Sequence, residues 1–152
     1  MGKFKLNFKS LGKKLQKNKK LQKQIETKVA VALEAKKEKA LVELLSHPVS
    51  REIQAGPSAS NSSGSLGGYG NLFSFIGFSS GSQPVTPLLQ LIKSSIKLET
   101  LRRSKSKGKN IFFGFKVNIP SRAQIANATP MPWEGGSWVD GVENGMSNFS
   151  YI

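Results

Sequence analysis

Ser58-Ala-Ser-Asn-Ser-Ser-Gly-Ser-Leu-Gly-Gly-Tyr-Gly-Asn71, running directly into Leu72-Phe-Ser-Phe-Ile-Gly-Phe78, is the stretch on which the reading of this chain turns. Its first part consists of small residues with too little apolar surface to offset the entropy of ordering a backbone. That composition begins at Gln54 and predicts a flexible loop or arm over 54–70. The second part is apolar in both alternations, Phe73 and Phe75 against Leu72, Ile76 and Phe78, which is the pattern of a strand covered on both faces. A small-residue arm joined to so apolar a strand depends for its order on what it meets, and this points to assembly rather than catalysis.

Upstream, the period changes. Leu21, Ile25, Val29, Ala32, Leu33, Ala40, Leu41, Leu44 and Leu45 recur at helical spacing with Lys and Glu between them, predicting a long amphipathic helix over 13–47, from Lys14 or Lys19 to Ser46. His47-Pro48 ends it, because a residue before proline is pushed out of the α region. Ahead of the helix, Phe4, Leu6 and Phe8 alternate with Lys3, Lys5, Asn7 and Lys9, predicting a strand or arm over 1–12.

Downstream, residues 71–119 read as a sheet with one short helix and a basic hairpin. Thr86-Pro87 supplies a capping hydroxyl and a proline for the helix, with Leu88, Leu91 and Ile92 on one face. Ile96 to Leu101 continues it or opens a strand. Arg102 to Asn110 is a basic loop, and Ile111, Phe113, Phe115, Val117 and Ile119 alternate as the returning strand, so the hairpin carries a positive tip. Residues 120–152 hold short helices and a Trp-containing flap: Ser121 and Gln124 have capping-box spacing, Thr129 to Trp133 is extended, and Ser137 with Asp140 starts a helix bearing Trp138 and Val142 that Gly145 ends. The fold class is α+β in a single domain, a long N-terminal amphipathic helix packed on a small, mainly antiparallel sheet with an extended Ser/Gly-rich loop.

The 152 residues carry a net charge of +14, with +10 in residues 1–40, +6 in 41–119 and −2 in the remainder. Charge of this sign favours nucleic acid, an acidic protein or an anionic surface. With no Cys and one His, disulfides, thiol nucleophiles, Cys-based zinc sites and histidine metal clusters are excluded. The basic start lacks the apolar core of a signal peptide, and no run approaches the roughly 20 apolar residues of a membrane span. A cytoplasmic chain with no membrane partner is expected.

Gly64 to Gly70 precedes a strand and lacks a Gly-Lys-Ser/Thr ending, so it is not a phosphate loop. Asp140 and Glu143 fit helix capping better than acid/base pairing, and His47 fits helix termination. The interspersed Glu26, Glu34, Glu38 and Glu43 give the lysine-rich helix the look of a solvated face. Trp133 and Trp138, in Pro130-Met-Pro-Trp-Glu-Gly-Gly-Ser-Trp-Val139, suit either a core-sealing flap or a subunit interface. No catalytic, metal or cofactor-binding residue emerges.

The opening Met1-Gly-Lys-Phe-Lys-Leu-Asn-Phe-Lys-Ser-Leu-Gly-Lys-Lys-Leu15, the order of strand, long helix, Ser/Gly loop, strand and hairpin, and Gly64-Ser65-Leu66 at the position of an Asp-Thr-Gly-x-Leu type turn resemble the neck and tail-completion proteins of tailed bacteriophages. Ser62-Ser63 replaces the Asp-Thr of that turn. Ser63 to Phe78 and Thr129 to Trp138 are similar to segments of phage virion proteins. The resemblance implies a non-enzymatic virion protein at the head–tail junction, assembled in the host cytoplasm as a homo-oligomeric ring of six, or alternatively twelve, subunits that contacts adjacent neck and tail proteins. Tyr69, Phe73, Phe75, Trp133 and Trp138 are its candidate interface residues. The alternative is a basic nucleic-acid-binding protein that holds phosphates through the N-terminal helix and Arg102, Arg103, Lys105, Lys107 and Lys109.

Overall fold

The computed structural model describes residues 8–107, 110–133 and 135–145, with backbone alone for residues 8, 9, 100–107 and 110. In chain order the elements are α1 (Phe8–Gln16), α2 (Lys19–Ser46), α3 (Pro48–Ala55), a 3₁₀ turn (Gly56–Ser58), α4 (Leu72–Ile76), α5 (Val85–Ser95), β1 (Lys97–Lys107), β2 (Asn110–Asn118), α6 (Arg122–Ala128) and α7 (Trp138–Asn144). The class is α+β, with one two-stranded antiparallel sheet among the described residues. The chain divides into two compact units, 1–36 with 97–118 and 37–96 with 119–152.

In the first unit α1 lies against both strands of the hairpin. The predicted strand over 1–12 is corrected from Phe8 onward, where the backbone is helical; Phe4 and Leu6 lie outside the described residues. Leu11 and Leu15 stand four apart among Lys residues, so helical spacing displaces the alternation. The helix breaks at Lys17–Asn18, and the Asn18 side-chain oxygen accepts from the Leu21 N–H at 3.1 Å, restarting the chain as α2.

α2 is long, as its spacing predicts, but it is not amphipathic along one fixed face. Leu21, Ile25, Val29, Leu33, Lys37 and Leu41 follow one another at intervals of four. Each such step overshoots a full turn by about 40°, so the apolar row winds about 200° round the helix between Leu21 and Leu41.

β1 and β2 pair from Lys97 opposite Asn118 to Lys107 opposite Asn110, with an irregularity between Glu99 and Arg103. The basic stretch is therefore strand rather than loop as far as Lys107. Strand-forming Ile111, Phe112, Phe113 and Phe115 opposite it impose the ladder on Arg, Lys and Ser, which favour it little themselves. On β2, Ile111, Phe113 and Phe115 are half-buried while Phe112, Gly114 and Lys116 are exposed, as the predicted alternation requires. Glu99 fastens the base of the hairpin through Lys116 at 3.2 Å and the Asn118 amide at 3.0 Å.

The second unit holds the core: Ile53, Leu72, Phe73, Ile76, Val85, Leu88 and Trp138, with Leu44, Leu66, Phe78, Ile125 and Val142 packed around them. The predicted strand over Leu72–Phe78 is instead α4. Asn71 accepts from the Ser74 N–H at 2.9 Å as N-cap. At the other end Gly77, at φ +82°, and Phe78 donate back to Ser74 and Phe73, which closes a Schellman turn. The Phe73 and Phe78 rings, 5.5 Å apart, make the hydrophobic contact that accompanies such a turn. With a cap at each end of five residues, local geometry overrides the strand propensity of Phe and Ile.

His47 is extended at ψ 135° and Pro48 opens α3, so the proline that ends α2 also begins the next helix. α3 turns one carboxylate inward. Glu52 is 1% exposed; one of its oxygens accepts from the Ser63 N–H and the other from the Leu72 N–H, both at 2.7 Å. Burial by itself raises its pKa, but the Ser63 hydroxyl and the Ser63 and Leu72 N–H groups together hold the carboxyl below the usual range. The Asn71 amide donates to the Pro57 carbonyl at 2.9 Å, a second tie across the same loop. The predicted loop over 54–70 thus shrinks at its start, since Gln54 and Ala55 finish α3 and Gly56–Ser58 form the 3₁₀ turn. The remainder is a series of turns, in which Gly64, Gly67, Gly68 and Gly70 have positive φ.

The α5 start is displaced by two residues from the expected one: the helix begins at Val85, so Thr86 and Pro87 fall within its first turn, where a missing N–H costs no helical bond. The capping box at Ser121 and Gln124 and the Ser137 cap on Asp140 form as their spacing predicts. Thr129 joins α6 to α7. Its hydroxyl donates to the Ile125 carbonyl at 2.7 Å and so must accept from Ser137, whose oxygen also receives the Asp140 N–H.

Glu52→Gln presents an amide N–H to a backbone N–H, and we expect a loss of about 1–3 kcal/mol in chemical denaturation. Because the folded pKa of Glu52 is depressed, its contribution is fully present above the unfolded value of about 4.3 and is lost as pH falls through the folded value. Wild-type stability should therefore drop more steeply than that of Glu52→Gln below about pH 4.3. Thr129→Val, which leaves the Ser137 hydroxyl without its acceptor, should cost about 1–3 kcal/mol, whereas Thr129→Ser should cost less than about 1.

Candidate functional site

A helical Leu72–Ile76 separates residues that a strand would have placed together. Phe73 and Phe75 share a face at a period of two, but in a helix they stand about 200° apart. Phe73 is 1% exposed and Phe75 is 39% exposed. Trp138 is also interior, at 4%, with its ring meeting Phe78 edge-on at 6.3 Å between centroids. Phe73 and Trp138, both expected at a subunit interface, are thus corrected to residues of the chain's own core.

Tyr69, Phe75 and Trp133 are the three expected interface residues that reach the surface, Tyr69 at 86% and Trp133 at 41% exposure. Trp133 sits on the short connection between α6 and α7, whose ends are drawn together by Trp138 N–H to Thr129 at 2.9 Å and Met131 N–H to Gly136 at 3.2 Å. Its ring covers Gly77: a Cβ there would stand 3.1 Å from a Trp133 ring carbon. The glycine that ends α4 therefore also seats the tryptophan.

Of the expected phosphate contacts, Arg102, Arg103, Lys105 and Lys107 belong to β1, and their side chains lie outside the described residues, as does Lys109 altogether. Their place in the first unit reveals a partition that composition alone did not. Residues 1–36 carry eleven Lys against two Glu, and residues 97–118 carry seven basic residues against one Glu, a net of +15. The second unit, with five basic and six acidic residues, is left at −1. On α1, α2 and the link between them, Lys13, Lys14, Lys17, Lys19, Lys20, Lys23 and Lys28 are exposed, and none has an acidic partner among the described residues.

Two of the carboxylates are committed to structure. Both Glu52 oxygens are taken by backbone donors. Asp140 pairs with Arg122 at 2.8 Å. No group of three or more His, Cys, Asp or Glu that could hold a metal occurs among the described residues. A surface hollow of about 310 Å³ is lined by Leu45, Gln54, Ser82, Gln83, Val85, Thr86 and Leu89, none of them ionisable. No described helix is long and apolar enough to cross a membrane. Glu52 is the structural carboxylate that the sequence did not single out; its signal is an acidic residue three after Val49 and beside Ile53, on the apolar side of a short helix.

Gly77→Ala forces a left-handed residue to carry a Cβ and pushes it against Trp133; we expect a loss of about 1–2 kcal/mol and a shift in tryptophan emission. In Trp133→Ala the same glycine change should lose the steric part of that cost and retain the backbone part, which a double-mutant cycle measures.

Compared with protein-family models, curated proteins and solved structures, the chain matches none.

Proposed function

We propose that this chain is a non-enzymatic structural subunit of the head–tail junction of a tailed bacteriophage, assembling as a closed ring. The observation that carries the reading is the hairpin. Each of its two long strands has one hydrogen-bonding edge with no partner strand among the described residues. A two-stranded ribbon is marginal in water by itself, and an edge of nine to eleven residues is a template for another chain.

Charge selects the pairing. Two β1 edges together would set Arg102, Arg103, Lys105 and Lys107 against their own copies, whereas β2 holds a single cation, Lys116. Pairing of β1 from one subunit with β2 of the next avoids that repulsion. Such head-to-tail contacts generate a ring where the rotation between neighbours closes. Tyr69, Phe75 and Trp133 offer aromatic anchors on the second unit for a neighbour or an adjoining ring.

Native mass spectrometry and negative-stain imaging of the purified chain should show closed particles of six or twelve times 16.5 kDa. Phe75→Ala and Trp133→Ala should leave the helical signal unchanged and weaken the joining of rings to their neighbours, each by about 2 kcal/mol if it is a central anchor. A chain that stays monomeric across the whole concentration series, alone and with neck partners, excludes this function.

A further inference from the structure

We propose that the unit formed by residues 1–36 and 97–118 binds the phosphate backbone of nucleic acid, without selecting bases. It holds all of the molecule's excess charge, +15 against −1 for the other unit, so the basicity is the property of one structural unit and not of the surface at large. Lys19, Lys20, Lys23, Lys28 and Lys36 are exposed along about 26 Å of helix axis, a length over which duplex DNA presents an anion every 1.7 Å or so. Gln24 stands exposed among them, and its side-chain amide is of the kind that donates to phosphate oxygens.

A lipid surface fits the same unit less well. The first half of α2 has no Trp, Tyr or Phe to seat at headgroup depth; its Leu21, Ile25, Val29 and Leu33 are half-buried, and Val31, at 66% exposure, is the single large apolar side chain it displays. Cations without acidic partners and spread along a rod suit counterion release by a linear polyanion, which needs no shape match. The inference does not depend on the ring reading, since duplex binding is measured in the same way on a monomer or a ring.

The test compares two full-length variants of equal charge loss. One carries Lys19, Lys20, Lys23 and Lys28→Gln in the basic unit; the other carries Lys39, Arg51, Lys93 and Arg122→Gln in the neutral unit. Circular dichroism checks that both keep their helical content, and anisotropy of a labelled random-sequence duplex gives affinity from about 50 to 200 mM salt. The wild type should bind with a steep salt dependence and no preference among sequences. The basic-unit variant should lose about 3 to 4 from the log–log slope, while the neutral-unit variant should keep the wild-type slope to within about 1. Absence of salt-dependent duplex binding by the wild type overturns the proposal, as does an equal loss in the two variants. Binding to phosphatidylserine vesicles but not to duplex assigns the unit to membranes and overturns it too.

Discussion

A single buried carboxylate holds the second unit in register. Glu52 arrives on α3, and its two oxygens receive N–H groups from Ser63, in the Ser/Gly turns, and from Leu72, the first residue of α4. Three pieces of chain, which also send Ile53, Leu66 and Leu72 to one apolar cluster, are thereby fixed to one side chain. Removing a charge from water costs several kcal/mol unless hydrogen bonds replace the lost hydration, and here each oxygen has a charge-assisted bond. The same bond gives Leu72 an acceptor for an N–H that helical geometry leaves unpaired. Phe73 and Ile76 then reach the core because α4 begins where Glu52 makes it begin.

What the sequence disclosed depends on how local the cause was. The Ser121 capping box, the Ser137 cap and the His47-Pro48 break were legible because side chain and backbone partner lie within three residues of each other. The five residues of α4 were not, since a short run of Leu, Phe and Ile satisfies either period. The flanking Asn71 and Gly77 carried the information. From that one misassignment followed the placing of Phe73 beside Phe75. Arg102–Lys107 were hidden as a strand for the opposite reason: their extended form is imposed by β2, which follows them in the chain. Trp133 and Trp138 were marked by type, but which of them lies inside is settled by packing against Phe78 and Gly77, residues more than fifty positions earlier.

The distribution of charge and the division into units coincide. A strongly positive polypeptide cannot condense its cations around a core without repulsion, and here the apolar core is gathered in the part of the chain that is almost neutral. The hairpin and the first half of α2 hold the cations apart on extended elements. Stability of the core and the reach of the electric field are thus assigned to different residues, and substitutions in one leave the other largely untouched.

The winding row of α2 restricts how this protein is able to vary. Leu44, on the turn after its last member Leu41, packs against the core of the second unit, so deleting one residue between Leu44 and His47 would turn Leu44 by about 100° relative to that core. In the Ser/Gly turns the restriction is confined to Ser63, held by Glu52, and Leu66, packed on the core; the residues that follow carry no helical phase. Changes in length should therefore be tolerated at 67–70, between the fixed points Ser63 and Leu72, and not at 44–47, where a single residue sets the direction in which Leu44 faces.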